Sequence, residues 1–194
     1  MRVFLRAPRP SDCEAFLARV AASQGLHAHW VDPPTDRESY LAWSQRGASE
    51  HRVARLVCLR SSGELVGVAN LNDLERRGEP RARLGCYGFA GHTGRGYVRE
   101  GVGQLLALAF GPLALARVEA EVRAANARSR ALLAGLGFRR EAGPPRMLRV
   151  GRAWREHECW ALDPCAWSAR SGPRRVYTLD RPGDRARAGR GGSP

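Results

Sequence analysis

The sequence predicts a mixed α/β fold with one mostly antiparallel sheet, and three observations lead to that prediction. Strand-like runs follow one another at short spacing over residues 54–59, 64–72 and 82–90, which is typical of an antiparallel meander. A glycine-rich segment follows the third run, and apolar residues then recur at the helical period over residues 102–110. Helical and strand-like segments alternate after it, and no internal repeat or second domain is visible.

The first 50 residues predict one strand and two helices. Residues 2–6 have the composition of a short strand. Ser11, followed by Glu14, has the spacing of a capping box, in which a hydroxyl and a carboxylate satisfy exposed N–H groups of the first helical turn. Thr35 and Glu38 repeat the pattern beyond a loop rich in rings and prolines, so a second helix is expected there.

The last third of the predicted fold contains two strands around one helix. Residues 118–122 and 155–162 alternate polar and apolar side chains, as half-buried strands do. Between them, residues 126–136 form a predicted helix that Asn126 caps and Gly137 ends.

Length and composition divide the chain into a domain of residues 1–163 and an Arg-, Pro- and Gly-rich tail of residues 164–194. A chain of 194 residues suffices for one hydrophobic core. The tail has too few apolar residues to offset its ordering entropy, so we expect it to be flexible. The charge-free apolar stretch 105–115 is shorter than the ~20 residues that cross a bilayer. The five cysteines lack metal-ligand spacing, so we expect a cytoplasmic protein without metal or membrane contact.

The formal net charge of +13 has two explanations. An arginine-rich surface attracts nucleic-acid phosphates without specific contacts. All 32 basic residues are Arg, however, and both Lys and Ile are absent, which is the bias of a very GC-rich coding sequence. We favour the coding bias and expect any nucleic-acid binding to be incidental.

Gly94 and Gly96 stand directly before the predicted helix over residues 102–110. Glycines at such a place let the main chain turn tightly and approach a ligand closely. The unpaired N–H groups of the first helical turn and the positive end of the helix dipole then favour an anion such as a pyrophosphate. Arg95 and Arg99 would add charge-assisted hydrogen bonds. The same pattern also occurs in plain turns, and no Walker G-K-[ST] follows it.

Four segments carry a family resemblance, and they stand in the family's order within residues 2–163. They are L-G-C-Y-G-F-A-G-H-T-G-R-G-Y-V-R-E-G from Leu84, R-V-E-A-E-V from Arg117, N-A-R-S-R-A-L-L-A-G-L-G-F-R-R-E from Asn126 and G-R-A-W-R-E-H-E-C-W-A-L from Gly151. Together they resemble the GNAT superfamily of N-acetyltransferases, specifically its ribosomal-protein-alanine (RimJ/RimL-type) group. The resemblance implies a mixed, mostly antiparallel sheet of six to seven strands, flanked by about four helices and splayed between the fourth and fifth strands.

The resemblance also implies acetyl-coenzyme A as the acetyl donor. Main-chain amides of the glycine loop would bind its pyrophosphate, and the end of the preceding strand would pair with its pantetheine arm. Ser129 would be the catalytic residue, protonating or hydrogen-bonding the leaving thiolate. The implied cofactor-binding residues are Phe89, Ala90, Gly94, Arg95, Gly96, Tyr97, Val98 and Asn126.

The sequence departs from the family at three positions. Thr93 stands where Gln or Arg is usual at the start of the loop, and Val98 stands where a small residue is usual at its end. Because phosphate contacts come mainly from the main chain, we expect these changes to tune binding. Arg146 stands where some relatives have a Glu that serves as general base. Glu100 is a base or, as an acid in a first helical turn, a partner of the helix dipole, so no base is assigned.

The expected reaction is direct attack of a neutral primary amine on the acetyl carbonyl. An N-terminal α-amine, with a pKa of ~8, is about a tenth neutral at pH 7. A lysine amine, with a pKa of ~10.4, is neutral at well under about one part in a thousand. Without an obvious carboxylate base, an α-amine is the easier acceptor, and the implied partner is the N-terminus of a ribosomal or other protein.

Five polar and aromatic residues are candidates for the acceptor side, each with a second interpretation. His27, His29 and Trp30 line that side, with a His as base, or they are exposed loop residues. Asn70 and Asn72 bind the acceptor or stabilise a bulge in a central strand.

Two rival functions stay open. One is N-acetylation of a small-molecule amine, such as an antibiotic, polyamine or amino acid, which an acidic acceptor site would favour. The other is a catalytically degenerate domain that binds ribosomal or other RNA through arginine, although no aromatic RNA-binding motif is visible. The chain is expected to act as a monomer or a homodimer.

Overall fold

The computed structural model describes residues 1–28, 30–47, 49–150 and 153–171 of the chain. The strands in this part are β1 (Val3–Arg6), β2 (Val53–Leu59), β3 (Leu65–Glu75), β4 (Arg81–Gly88), β5 (Arg117–Val122), β6 (Arg139–Arg140), β7 (Arg146–Val150) and β8 (Ala153–Leu162). The helices are α1 (Cys13–Ala22), α2 (Gln24–His27), α3 (Arg37–Arg46), α4 (Tyr97–Phe110), α5 (Ala127–Leu136) and α6 (Pro164–Ser171), and a 3₁₀ helix (Pro10–Asp12) precedes α1. None of these helices is long and apolar enough to cross a bilayer.

One open sheet runs through the described part of the molecule in the order β1-β2-β3-β4-β5-β8-β6, and β7 pairs with β8. Its neighbouring strands are antiparallel except β4 and β5. Those two are parallel over three residue pairs, from Arg81 with Arg117 to Arg83 with Glu119. Beyond Arg83 the two strands separate. The predicted fold class and the splay between the fourth and fifth strands are confirmed.

Two helical layers cover the sheet. On one face, α4 and α5 pack against the alternate side chains of β5 that are apolar, Val118, Ala120 and Val122. On the other face, α1 and α3 pack over β2–β4 through the rings of Phe16, Tyr40, Trp43 and Phe89. Among the described residues, this second cluster includes none from β5 or β8. The polar side chains of β5 and β8 on this second face are therefore not covered by the cluster and are available to form a functional site.

Two helix starts differ from their predicted positions. Asp12, not Ser11, precedes α1, and its Oδ2 accepts the Arg9 N–H at 2.8 Å within the 3₁₀ turn. Asp36 caps α3 one residue after Thr35, and its Oδ1 accepts an N–H of the first turn at 2.8 Å. At α3 a carboxylate thus takes the capping role predicted for the Thr35 hydroxyl, and a charged acceptor makes the stronger hydrogen bond. The Asp12 side chain makes no capping hydrogen bond to α1.

Four short elements were not predicted. Helix α2 lies inside the predicted loop, β6 and β7 are short and rich in Arg, and α6 forms the first eight residues of the predicted tail. Trp167 of α6 packs against Phe110 of α4 with ring centroids 6.5 Å apart, so the folded region extends past residue 163. Residues 172–194, the rest of the predicted flexible tail, lie outside the described part.

Candidate active site

The separation of β4 and β5 opens a cavity through the sheet. We call it the gap; its volume is about 130 Å³, and its lining includes Asn126 and Ser129 at the start of α5 and Trp30 from the loop between α2 and α3. It adjoins a second cavity of about 260 Å³ on the Trp30 side, which we call the outer cavity. Both cavities are lined by Trp30, Gly85 and Cys86. Ligands that enter from opposite faces of the sheet would therefore meet in the gap.

The glycine loop between β4 and α4 has main-chain N–H groups without hydrogen-bond partners in the described part of the chain. Gly94 and Gly96 have φ angles of 76° and 78°, in the left-handed region that side chains rarely adopt. None of the five main-chain N–H groups from 94 to 98 donates a hydrogen bond of normal geometry to another described residue. Helix α4 begins at Tyr97, so its first-turn N–H groups are part of this set. Such a set at a helix N-terminus suits an anion.

Val98, at the end of this loop, is accommodated by two glycines. Its Cγ2 lies 3.0 Å and 3.1 Å from the positions that a Cβ would take on Gly67 and Gly88. Gly67 and Gly88 pair with each other across β3 and β4. Val98 therefore occupies the space that larger side chains at positions 67 and 88 would fill, and the loop is not pushed away from the sheet.

The charged residues of the first turn of α4 make contacts within the protein. Arg99 Nη2 donates to the Gly135 carbonyl at 2.9 Å and so joins α4 to the end of α5. Glu100 accepts hydrogen bonds from Arg2, at 2.8 Å from the main-chain N–H and 2.6 Å from Nε. Partial burial opposes ionisation, but these bonds lower the pKa of Glu100 overall. Glu100 is thus engaged as an ion-pair partner at the N-terminus of α4.

The main-chain N–H groups of Phe89 and Ala90, which were expected to pair with the pantetheine arm, make hydrogen bonds within the protein. The Phe89 N–H donates to the Val66 carbonyl at 3.0 Å, which extends the pairing of β4 with β3. The Ala90 N–H donates to Ser23 Oγ at 2.9 Å. The Phe89 side chain is fully buried in the aromatic cluster of α1 and α3. The main-chain groups at the other edge of β4 belong to residues earlier in the chain.

The free edge of β4 lies at Cys86 and Gly88. Main-chain groups alternate sides along a strand, so residues with the opposite parity to Phe89 face the diverging β5. The Gly88 carbonyl already accepts from His27 Nε2 at 2.9 Å. His27 is 4% exposed, and its ring centroid lies 5.1 Å from that of Tyr87, so its side chain lies in the core. The sequence had suggested the acceptor side, but His27 is not among the described residues that line either cavity.

Asn126 and Ser129 both line the gap. Asn126 caps α5, because its Oδ1 accepts the Ser129 N–H at 3.1 Å, and Gly137 ends the helix with φ of 97°. Both side chains are half-buried and line the gap. The Asn126 Nδ2 donor and the Ser129 hydroxyl have no partner among the described residues.

The acceptor side predicted from the sequence is brought together only in part. Trp30 lines both cavities, and the Arg123 guanidinium lies 5.1 Å from its ring centroid. Asn70 lines the outer cavity, where its buried Oδ1 has no partner in the described part of the chain. Asn72 is not among the described residues that line either cavity, and His29 lies outside the described residues.

Several residues that line the gap were not predicted, and three of them carry groups that can exchange a proton. They are Cys86 of β4, Glu121 of β5 and His157 of β8. Glu121 Oε1 accepts a hydrogen bond from Arg146 Nη1 at 3.0 Å and lies 3.7 Å from Arg83 Nε. Arg146 therefore pairs with a carboxylate from another strand. Burial raises the pKa of Cys86 to about 12, so its thiol stays protonated at neutral pH and is a poor nucleophile.

A family model described as "Acetyltransferase (GNAT) domain" matches residues 2–139. The chain belongs to this acetyltransferase family. The open sheet, the glycine loop and the gap between β4 and β5 are thus features of a GNAT domain, and the family predicted from the four segments is confirmed.

Several solved structures share this GNAT fold. Mycobacterium smegmatis RimJ, solved in complex with CoA-disulfide, is 27% identical with a TM-score of 0.76, covering 84% of this chain and 82% of RimJ. A chimera of the Vibrio cholerae spermidine N-acetyltransferase SpeG is 15% identical with a TM-score of 0.74, covering 88% and 100%.

A curated relative matches part of the chain. The probable N-acetyltransferase YjcK of Bacillus subtilis (strain 168) is 28% identical over 102 residues, which are 53% of this chain. The match spans little more than half of that relative, 56% of its length.

Proposed function

We propose that this chain transfers the acetyl group of acetyl-CoA to a primary amine. The observation that supports it best is a set of five N–H groups, at residues 94–98, that have no partner among the described residues and follow directly on the free edge of β4. A pyrophosphate needs several convergent donors without side chains in the way, and this loop offers them with left-handed glycines and a helix N-terminus. The +13 charge of the chain adds a long-range attraction for the phosphates.

The pantetheine arm would lie along the free edge of β4. The main-chain groups of Cys86 and the Gly88 N–H would pair with its amides as a neighbouring strand would. Asn126 would donate to the arm through Nδ2, since its Oδ1 caps α5. These three residues lead from the glycine loop to the gap, so the thioester would lie beside Ser129.

The chemistry in this proposal is a direct attack. The amine enters through the outer cavity past Trp30, and the thioester lies on the α5 face, so the two meet in the gap. The Ser129 hydroxyl supplies a proton to the departing thiolate. Because Cys86 stays protonated, a covalent acetyl-enzyme at that thiol has no nucleophile.

The acceptor that fits best is the α-amine at the N-terminus of a protein. The outer cavity is lined by one acid, Asp32, and one base, Arg149, so its described lining carries no excess of negative charge for a polycation. An α-amine also requires less deprotonation at neutral pH than a lysine or a polyamine. The expected partner is a ribosomal or other protein N-terminus in the cytoplasm.

The arginines in the described part argue against a dedicated RNA surface. Many of them are paired with acids and lie at separate places on the fold. These pairs include Arg2–Glu100, Arg6–Asp12, Arg19–Glu64, Arg81–Glu75, Arg117–Glu141 and Arg146–Glu121. Paired charges attract a phosphate backbone less than a continuous basic stripe does.

An acetylation screen tests the proposal. The purified chain is given acetyl-CoA with a peptide that has a free N-terminus, the same peptide with a blocked N-terminus and one internal lysine, and spermidine. We expect release of CoA and a mass increase on the first peptide, with little on the second. Faster turnover of spermidine than of the first peptide would identify a polyamine, and not a protein N-terminus, as the acceptor. Binding of CoA without turnover of any amine would support the non-catalytic alternative.

A further inference from the structure

The two ring nitrogens of His157 have different surroundings. The residue lies on β8, is 6% exposed and lines the gap. Its Nδ1 is 2.8 Å from the Arg155 carbonyl oxygen. A carbonyl oxygen can only accept a hydrogen bond, so Nδ1 carries the proton and Nε2 of the neutral ring holds the lone pair. The strand therefore selects the tautomer in which Nε2 is the basic nitrogen.

His157 is the one described histidine that lines the gap. Its Nε2 has no hydrogen-bond partner among the described residues. By contrast, His27 Nε2 contacts the Gly88 carbonyl at 2.9 Å, and His92 Nε2 lies 3.1 Å from Glu64. Those two rings are held by the protein, whereas Nε2 of His157 is left for a ligand.

Strand pairing places His157 on the acceptor face of the sheet. Directly paired residues of antiparallel strands have side chains on the same face, and Glu121 pairs with Cys159. Side chains alternate along β8, so His157 shares the face of Cys159 and Glu121. This is the face opposite to α5, on which Ser129 lies. A base and a proton donor thus line the same gap from opposite faces.

The charged and titratable groups around His157 come from β4, β5, β7 and the residue that follows β5. Glu121 of β5, Arg123 directly after β5 and the Cys86 thiol of β4 line the gap with it, and Arg146 of β7 is its partner in the strand pairing. The charge of Glu121 is already matched by Arg146 at 3.0 Å. Among these groups, the imidazole of His157 is therefore the proton acceptor whose lone pair has no partner in the described structure.

We propose that His157 Nε2 is the general base of the acetyl transfer, an inference that rests on the proposed function. Nε2 takes one proton from the ammonium form of the acceptor, and the neutral amine forms an N–C bond to the acetyl carbonyl carbon. The C–S bond then breaks. The second amine proton passes through the Ser129 hydroxyl to the thiolate, and the proton on His157 leaves to solvent.

The test replaces His157 with Asn, whose amide N–H takes the place of Nδ1–H against the Arg155 carbonyl but offers no base. We expect kcat/KM to fall about a hundredfold and the affinity for CoA, measured by calorimetry, to stay unchanged. The pH–rate profile separates this role from a structural one. The wild-type rate levels off once the base is deprotonated, whereas the variant's rate keeps rising with the fraction of neutral amine.

The matched control is His51→Asn, because His51 is exposed, is not among the described residues that line either cavity, and its ring makes one hydrogen bond in the described part, to the Leu74 carbonyl. It should keep the wild-type rate and profile. If His157→Asn loses CoA binding through misfolding, His157→Gln carries the same test. An active wild type with a His157 variant of equal rate, or of lower rate with an unchanged pH profile, would overturn the role of His157 alone. A wild type that acetylates no amine would overturn the proposed function itself.

Discussion

The two halves of the cleft are built in different ways. The half proposed to bind the acetyl donor, which we call the donor half, runs from the free edge of β4 through the glycine loop to α4 and consists mainly of main-chain groups from one continuous segment. The half proposed to bind the amine, the acceptor half, consists of side chains from separate segments: Trp30 before α3, Asn70 on β3, Glu121 on β5 and His157 on β8. The donor half therefore depends on backbone conformation, and the acceptor half depends on strand pairing.

This difference says where each half can change. A donor site made of N–H groups is expected to accept new side chains where the fold leaves room for them, as Gly67 and Gly88 leave room for Val98. An acceptor site made of side chains changes with single substitutions. The substitutions below are chosen to affect one half without the other.

The largest effect is expected for Ser129→Ala, at the meeting point of the two halves. Loss of the proton donor should lower kcat about a hundredfold, with acetyl-CoA affinity changed by less than about threefold, because Asn126 and the loop are intact. Steady-state kinetics and calorimetry measure the two values. Ser168→Ala on α6, whose hydroxyl contacts carbonyls of its own helix, is the control. An unchanged kcat for Ser129→Ala would remove this residue from the mechanism.

Gly94→Ala should break the donor half alone. Gly94 and Gly63 have nearly equal φ angles, 76° and 75°, and neither has an atom within 4 Å of a new Cβ. Alanine at either position should cost about 1–2 kcal/mol of unfolding free energy. Only Gly94→Ala should also raise the Kd for CoA, by about tenfold, the worth of one charge-assisted hydrogen bond.

Urea unfolding and calorimetry of the two glycine variants make this comparison. Equal loss of CoA affinity in Gly63→Ala would attribute the effect to general destabilisation. Unchanged affinity in Gly94→Ala would show that the loop does not hold the phosphates.

Trp30→Ala should weaken the acceptor half alone. The indole lines both cavities and is held by Arg123, so its removal takes away one wall of the path to the gap. We expect the KM for the amine to rise about fivefold, in line with the loss of about 1 kcal/mol of aromatic contact. The KM for acetyl-CoA should stay the same, and a change in it would place Trp30 at the donor.

The smallest effect on rate is expected for Glu100→Gln, with kcat within about twofold of wild type. Its folded-state pKa is lowered, so its stabilisation is present above the pKa of the unfolded chain and is lost as pH falls through the folded value. At pH 7 the free energy of unfolding of the variant should thus be lower than that of the wild type. The difference should be less than about 1 kcal/mol, because the pair with Arg2 is partly exposed. The difference should vanish in acid. A large loss of kcat would restore Glu100 as a base.

The same division explains what the sequence could predict. The glycine loop, the Asn126 cap and the stop at Gly137 are local signals, since each depends on residues within a few positions. The strands of the meander and the splay were predicted from periodicity and from the family resemblance. The strand predicted over residues 82–90 is Arg81–Gly88 in the structure, and the hydrogen bond from the Phe89 N–H to Val66 leaves Cys86 and Gly88 at the free edge of β4.

The residues that sequence reasoning missed are non-local. Glu121 and His157 lie 36 positions apart and meet because β5 pairs with β8. The alternation in R-V-E-A-E-V, with apolar residues on one face and carboxylates on the other, was the signal available. It gave no information about which strand would lie beside it. For His27 the missing information was local. The composition of the predicted loop did not indicate the short helix α2, which places His27 in the core.

The most direct test of pyrophosphate binding by the loop amides is a two-dimensional ¹H–¹⁵N NMR titration of the chain with CoA. The amides of residues 94–98 are expected to show the largest shifts, moving downfield as they donate to phosphate, and pantetheine without the pyrophosphate should leave them in place. Saturable CoA binding that leaves these five amides unmoved would contradict the assignment of the loop to the pyrophosphate.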